Sequence, residues 1–153
     1  MTTRAPPTLS RRRPPPTGDE QATATLHLGD MAETPCLSVA ECHELLSRLA
    51  ERKAAGRAGQ QTSDVYVKTR EYVGLFARFK DGKTVTQVDA ISSQLLGKGG
   101  LGGVTGFERA QLATLCCDTA EEAKTLIPSL EGKLDDDTLQ TVLNDISQLR
   151  DFS

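Results

Sequence analysis

Four cysteines, two histidines, a run of three aspartates and a glycine cluster are the residues of this 153-residue chain whose types suit chemistry. Cys36, Cys42, Cys116 and Cys117 form no Cys-x-x-Cys pair, and adjacent Cys116 and Cys117 make an awkward ordinary disulfide. All four read as free thiols of a reducing compartment. His43 follows Cys42 directly, and neighbouring helical positions point about 100° apart, which separates the two as ligands of one metal. A thiolate at Cys116 or Cys117 would need a base, and no histidine lies near in sequence. Asp135, Asp136 and Asp137 lack the alternating oxygens, glycine and distal glutamate of a calcium loop, and they suit helix capping instead. Gly97, Gly99 and Gly102 reproduce G-x-G-x-x-G literally, but that fingerprint belongs after a strand in a βαβ unit. Here the glycines follow a helical pattern, and no Ser or Thr follows Lys98 as a phosphate-binding P-loop requires. An interhelical loop is the expectation, with no catalytic constellation, cofactor or metal.

The elements that carry these residues are helices. Hydrophobic residues make up 37 % of the chain and aromatics only 4 %, with no Trp, so a core must come mainly from Leu, Val, Ile and Ala. No apolar run approaches the roughly 20 residues that span a bilayer, and the N-terminus lacks the apolar stretch of a signal peptide. A soluble protein that is not secreted is expected, with no membrane partner. The net charge of −3 is unevenly placed: +2 over residues 1–22, +1 over 23–106 and −6 over 107–153. The acidic C-terminal third would repel phosphates.

Residues 1–22 hold five of the seven prolines and almost nothing apolar, so they predict a disordered tail. Arg11–Arg13 there could serve nuclear import or brush RNA, but a solvated tail is the preferred reading of so short a basic run beside prolines. "TATLHLG", residues 23–29, alternates polar and apolar with Leu26 and Leu28 on one side. It predicts a short strand with no partner strand in the chain, whose edge another chain would fill.

Helices follow, each located by period and cap together. Ser38 and Glu41 stand in capping-box spacing, and Val39, Cys42, Leu45, Leu46 and Leu49 share a face as far as Gly56. A second helix starts near Ser63 and runs to Asp81-Gly82, carrying Val65, Tyr66, Thr69, Tyr72, Val73, Phe76 and Phe79 as a broad stripe. Thr84 with Gln87 opens a third, bearing Val85, Val88, Ile91 and Leu95. Thr105 with Glu108 opens a fourth, bearing Phe107, Ala110, Leu112, Leu115 and Cys116. Asp118 with Glu121 caps a fifth, with Ala120, Ala123, Leu126 and Ile127 turned inward. Pro128 must stop that helix, since inside one it would cost about 3 kcal/mol. Gly132 lets the chain turn, Asp135 caps the last helix, and Leu134 and Leu139 stand at hydrophobic-staple spacing. The last helix presents Leu139, Val142, Leu143, Ile146 and Leu149. Leu126, Ile127, Pro128 and Leu130 thus form an elbow between two short helices, a support of the bundle and a candidate docking edge together with Asp118 and Glu121.

The stretches "FARFKD" and "LCCDTAEEAKTLIPSLEGKLDDDTLQTVLNDI", with the capped helices around them, resemble the fourth-subunit family of eukaryotic RNA polymerase II. The resemblance covers residues 24–153. It implies an all-α helical bundle of the type also found at the C-terminus of RecQ helicases and ribonuclease D, and a non-catalytic role. It also implies a larger partner, the seventh subunit, with an OB-type RNA-binding barrel, the two forming a stalk on the polymerase core. Such a stalk supports initiation and brings the partner's RNA-binding surface to the transcript, so RNA is met mainly through the partner. Nuclear localisation follows, with the cytoplasm as a second compartment because the family is also linked to messenger RNA decay. Three parts are expected: a tail at 1–22, a partner-binding strand and first helix at 23–58, and a helical bundle at 59–153. Leu26, Leu28, Leu45, Leu46 and Leu49 form the expected partner-binding set, as apolar surface without a home in so small a bundle. A permanent complex of this kind buries on the order of 2,000 Å² or more.

The competing class is a freestanding nucleic-acid-binding module, since bundles of this type bind DNA or RNA in some helicases and nucleases. It would require a basic face, and only Lys68, Arg70, Arg78, Lys80 and Lys83 offer one. A redox or metal protein built on the cysteines would require bound metal or a thiol of depressed pKa.

Overall fold

The structure, a computed structural model, describes residues 21–32, 34–56, 63–96 and 103–151. Most of the expected tail and the glycine cluster at 97–102 lie outside these. Six helices dominate: α1 (Val39–Ala55), α2 (Asp64–Phe76), α3 (Gly82–Ser93), α4 (Gly106–Leu115), α5 (Ala120–Leu126) and α6 (Asp136–Asp151). Among the described residues the one sheet is a hairpin of two-residue strands, β1 (Gln21–Ala22) with β2 (Leu26–His27). The all-α class is as the composition predicts.

The hairpin corrects one expectation. The strand around Leu26 finds its partner inside the chain, antiparallel, with Gln21 opposite His27 and Ala22 opposite Leu26. Thr23 and Thr25 make the reversal, the Thr23 hydroxyl donating to the Thr25 carbonyl at 3.0 Å. Leu28 lies beyond the strand, ahead of a 3-10 turn at Gly29–Met31, so it does not continue the alternation of Leu26.

Capping sets most helix starts. At α1 the Ser38 hydroxyl accepts from Glu41 N–H while Glu41 Oε2 accepts from Ser38 N–H at 2.6 Å, and Thr105 with Glu108 does the same for α4. Each box satisfies two backbone donors that the first helical turn leaves orphaned. Asp135 Oδ2 accepts from Thr138 N–H at 2.9 Å at the start of α6, and Leu134 and Leu139 are both buried beside it, as the staple spacing predicts.

Two caps differ from expectation. The start of α3 belongs to Asp81, whose carboxylate accepts from the N–H groups of both Lys83 and Thr84, so Thr84 lies inside the helix. A charged acceptor reaching two donors outcompetes a hydroxyl reaching one. The start of α5 belongs to Thr119, accepting from Glu122 N–H at 3.1 Å, and Glu122 Oε2 accepts in return from Asp118 N–H. The cap therefore sits one residue after the predicted Asp118–Glu121 pair.

The second helix is shorter than its stripe predicts. Ala77 turns extended, and Phe79, wholly buried, enters the core from the connecting segment rather than from α2. α1 packs on α2, α3 and α4; α3 also packs on α4 and α6, and α5 on α6. Phe79, Leu95, Leu112, Ile127, Leu130, Leu139, Leu143 and Ile146 form the centre. α4 ends in a left-handed residue, Cys116 at φ 50°, whose thiol is buried against the helix it closes.

The elbow is built largely as Pro128 dictates. α5 stops at Leu126, Pro128 opens a 3-10 turn over Pro128–Leu130, and Gly132 at φ 74° reverses the chain toward α6. Leu126 departs from the inward face it was expected to share with Ile127. Ile127 is 2 % exposed and Leu126 50 %, because the helix ends between them and Ile127 is swung inward at φ −125°, ψ 77°.

Candidate partner interface and the anchors behind it

Of the expected partner-binding leucines, Leu45 and Leu49 lie on the outer surface of α1, 48 % and 38 % exposed. Leu45 borders a cleft between α1 and α3 with Glu41, Arg48, Val85 and Asp89. Leu46 is half-buried, three residues beyond His43, whose ring lies against Gly74 of α2. Leu26 and Leu28 are half-buried in the N-terminal arm, residues 21–37.

Exposed large apolar residues concentrate on α2, the helix that carries the broad stripe. On α2 only Val73 is buried, while Val65, Tyr72, Leu75 and Phe76 are exposed, and the rings of Tyr72 and Phe76 stand 4.6 Å apart. Positions 65, 72 and 76 follow helical spacing along one side, and Leu75 flanks them. Among the helices α2 packs substantially on α1 alone, so one flank is covered and, among the described residues, the other is bare. The width of the apolar stripe held the signal: a 13-residue helix lying on one neighbour cannot bury half its circumference.

The elbow residues divide in the same way. Ile127 and Leu130 are core, whereas Asp118, Glu121, Leu126 and Pro128 reach the surface. Glu121 and Leu126 share a shallow cleft with Thr119, Glu122 and Thr125. Asp118 is a clasp: its carbonyl accepts from Gln140 Nε2 at 3.0 Å and its carboxylate lies 3.1 Å from Arg150. Gln140 Oε1 also accepts from Ala120 N–H, so α6 closes the open N-terminus of α5.

Behind these surfaces, adjacent residues of α4 make two buried ionic anchors. The Glu108 side chain is wholly buried and accepts from Lys133 Nζ at 2.8 and 3.0 Å, and from Thr105 N–H and hydroxyl. Burial pushes its carboxyl pKa up, but Lys133, the Ser129 hydroxyl and Thr105 outweigh burial and leave it lowered. The Arg109 guanidinium, 8 % exposed, reaches Asp89 Oδ1 on α3 at 2.5 Å, Glu41 on α1 at 3.3 Å and the Cys36 carbonyl at 2.6 Å. For Glu41 too, burial raises the pKa, while bonds from Ser38 and the charge of Arg109 bring it below its ordinary value. Periodicity overlooked both anchors because they are charged. Their spacing still marks them, since Glu108 precedes Leu112, and Arg109 precedes Ala113, by the four residues that share a helix face.

The thiols are placed as structure rather than chemistry. Burial pushes Cys116 up to about 11 and raises Cys117 as well, the reverse of an activated nucleophile. Among the described residues no group of three or more His, Cys, Asp or Glu gathers as a ligand set, and no helix is long and apolar enough to cross a membrane.

Residues 36–150 match the RNA polymerase Rpb4 family. The chain belongs to that family. Among its relatives, the DNA-directed RNA polymerase II subunit rpb4 of Schizosaccharomyces pombe is 40 % identical over 135 residues, covering 87 % of this chain and 94 % of the relative. Subunit 4 of Arabidopsis thaliana is 32 % identical over 140 residues, covering 88 % and 96 %. Subunit RPB4 of Saccharomyces cerevisiae is 49 % identical over 81 residues, covering 53 % of this chain and 34 % of that longer relative. An Rpb4 protein is a non-catalytic subunit, so this chain is not itself the catalytic enzyme. The Rpb4 match begins at Cys36, whose carbonyl Arg109 holds, so both anchors lie within the matched region.

Proposed function

We propose that this chain is a non-catalytic subunit of RNA polymerase II that pairs with the larger, OB-containing stalk subunit and works in the nucleus. The pair supports initiation and handles nascent RNA, with RNA contacts made mainly by the partner. The partner covers apolar surface of the arm and of α1, through Leu26, Leu28, Leu45, Leu46 and Leu49, and the bare flank of α2. The observation that carries this reading is that flank. Val65, Tyr72, Leu75 and Phe76 are 74 %, 55 %, 75 % and 55 % exposed on one helix, where scattered single exposures would be ordinary. The match to the Rpb4 family and the names of its relatives support the identity of the assembly.

Co-expression with the larger stalk subunit tests it. A stable one-to-one complex that protects α2 and the arm from hydrogen exchange is expected. Absence of a complex, or tight RNA binding by the isolated chain with a steep salt dependence, overturns the reading in favour of a nucleic-acid-binding module.

A further inference from the structure

We infer that Arg109 is the positioning residue that fixes the N-terminal arm on the helical bundle and so sets the arm's angle for partner binding. Its bearing on the partner rests on the function proposed above; its hold on the arm rests on the geometry alone. The root of the arm with its junction to α1, Cys36 to Val39, is gripped from α4 at two points. Arg109 Nη2 donates to the Cys36 carbonyl at 2.6 Å, and the Thr114 hydroxyl accepts from Val39 N–H at 3.2 Å. Between them stands the capping box of α1, wired to the same guanidinium. Glu41 Oε2 accepts from both Ser38 N–H, at 2.6 Å, and Arg109 Nη2, at 3.3 Å.

One buried cation thus joins the exit of the arm, the start of α1 and, through Asp89, the middle of α3. A planar guanidinium reaches three acceptors in fixed directions, which an ammonium cannot reproduce. Lys133, the cation of the other anchor, holds Glu108 and touches no part of the arm in the bonds described. It therefore makes a matched control: comparable burial of charge, with no grip on the arm.

The test uses the full chain with Arg109→Met, Arg109→Lys and Lys133→Met. In the free chain, hydrogen exchange at Ser38, Val39 and Glu41 is expected to accelerate by about tenfold or more, relative to α6, in both Arg109 variants, since a broken buried ion pair is worth more than one such factor. Lys133→Met should leave that ratio unchanged. Binding to the larger stalk subunit should weaken by about tenfold or more only in the Arg109 variants. If Arg109→Met fails to fold, Arg109→Lys carries the comparison. Unchanged exchange at the arm root in a folded Arg109 variant overturns the inference, as does equal weakening of partner binding by Lys133→Met. Failure of the unmodified chain to bind the partner overturns the proposed function instead, and the exchange ratio still decides whether Arg109 anchors the arm.

Discussion

Glu108 and Lys133, 25 positions apart, form a buried ion pair at 2.8 Å that locks α4 to the turn between the elbow and α6. Glu108 is also the second half of the capping box of α4, so one carboxylate sets a helix start and fastens a distant turn. Exposed pairs such as Glu44–Arg48 contribute about 0.3–0.5 kcal/mol. Removing one member of a buried pair costs about 3–5 kcal/mol, because the other charge stays buried and unpaired. Lys133→Met should therefore lower the unfolding free energy by roughly 3 kcal/mol in urea titration, and the double variant with Glu108→Met should lose less than the sum of the two single changes.

Acid should loosen the same anchors. The carboxyls of Glu41 and Glu108 are held below their ordinary values, so the folded state favours their charged forms. Their contribution is full above the unfolded value of about 4.3 and is lost as pH falls through the lowered folded values. Thermal stability measured from pH 7 downward should stay level until about pH 5 and then drop. Replacing Glu108 with Gln should flatten part of that drop.

The elbow should separate into core and surface by mutation. Leu130→Ala removes a fully buried side chain and should cost about 2–5 kcal/mol, whereas half-exposed Leu126→Ala should stay within about 0.5 kcal/mol. If Leu126→Ala alters assembly with the polymerase while leaving stability unchanged, the outer face of α5 is a docking surface; unchanged assembly leaves the elbow a hinge of the fold.

The apolar flank of α2 should behave as an interface. Leu75→Glu with Tyr72→Ser should leave unfolding within about 0.5 kcal/mol of the unmodified chain, since both side chains are more than half exposed. The complex with the larger stalk subunit should fail to form in pull-down. Loss of stability equal to the loss of binding would instead assign these residues to the bundle.

The cysteines should differ in reactivity. At pH 8 the native protein should alkylate at half-buried Cys36 and Cys42 and resist at Cys116 and Cys117, whose burial raises their thiol pKa values. Peptide mass mapping after a short exposure to iodoacetamide reads the difference, and denaturant should abolish it.

Sequence alone determined most of the parts that depend on neighbours along the chain, the caps of α3 and α5 excepted. The capping boxes at Ser38–Glu41 and Thr105–Glu108, the stop at Pro128, the turn at Gly132 and the staple of Leu134 with Leu139 are local events, decided within about four residues, and each stands where the sequence predicts. The apolar faces of α3 and α6 were legible for the same reason. Tertiary structure decided whatever depends on what lies opposite. The stripe of α2 is equally periodic, yet only Val73 is buried, because one neighbouring helix covers one flank. Glu108 and Arg109 look like surface charges until Lys133, Asp89 and Glu41 converge on them from 20 to 68 positions away. A carboxylate or guanidinium reveals nothing about burial by its type, since only a paired charge can be taken out of water and its partner is chosen by the fold.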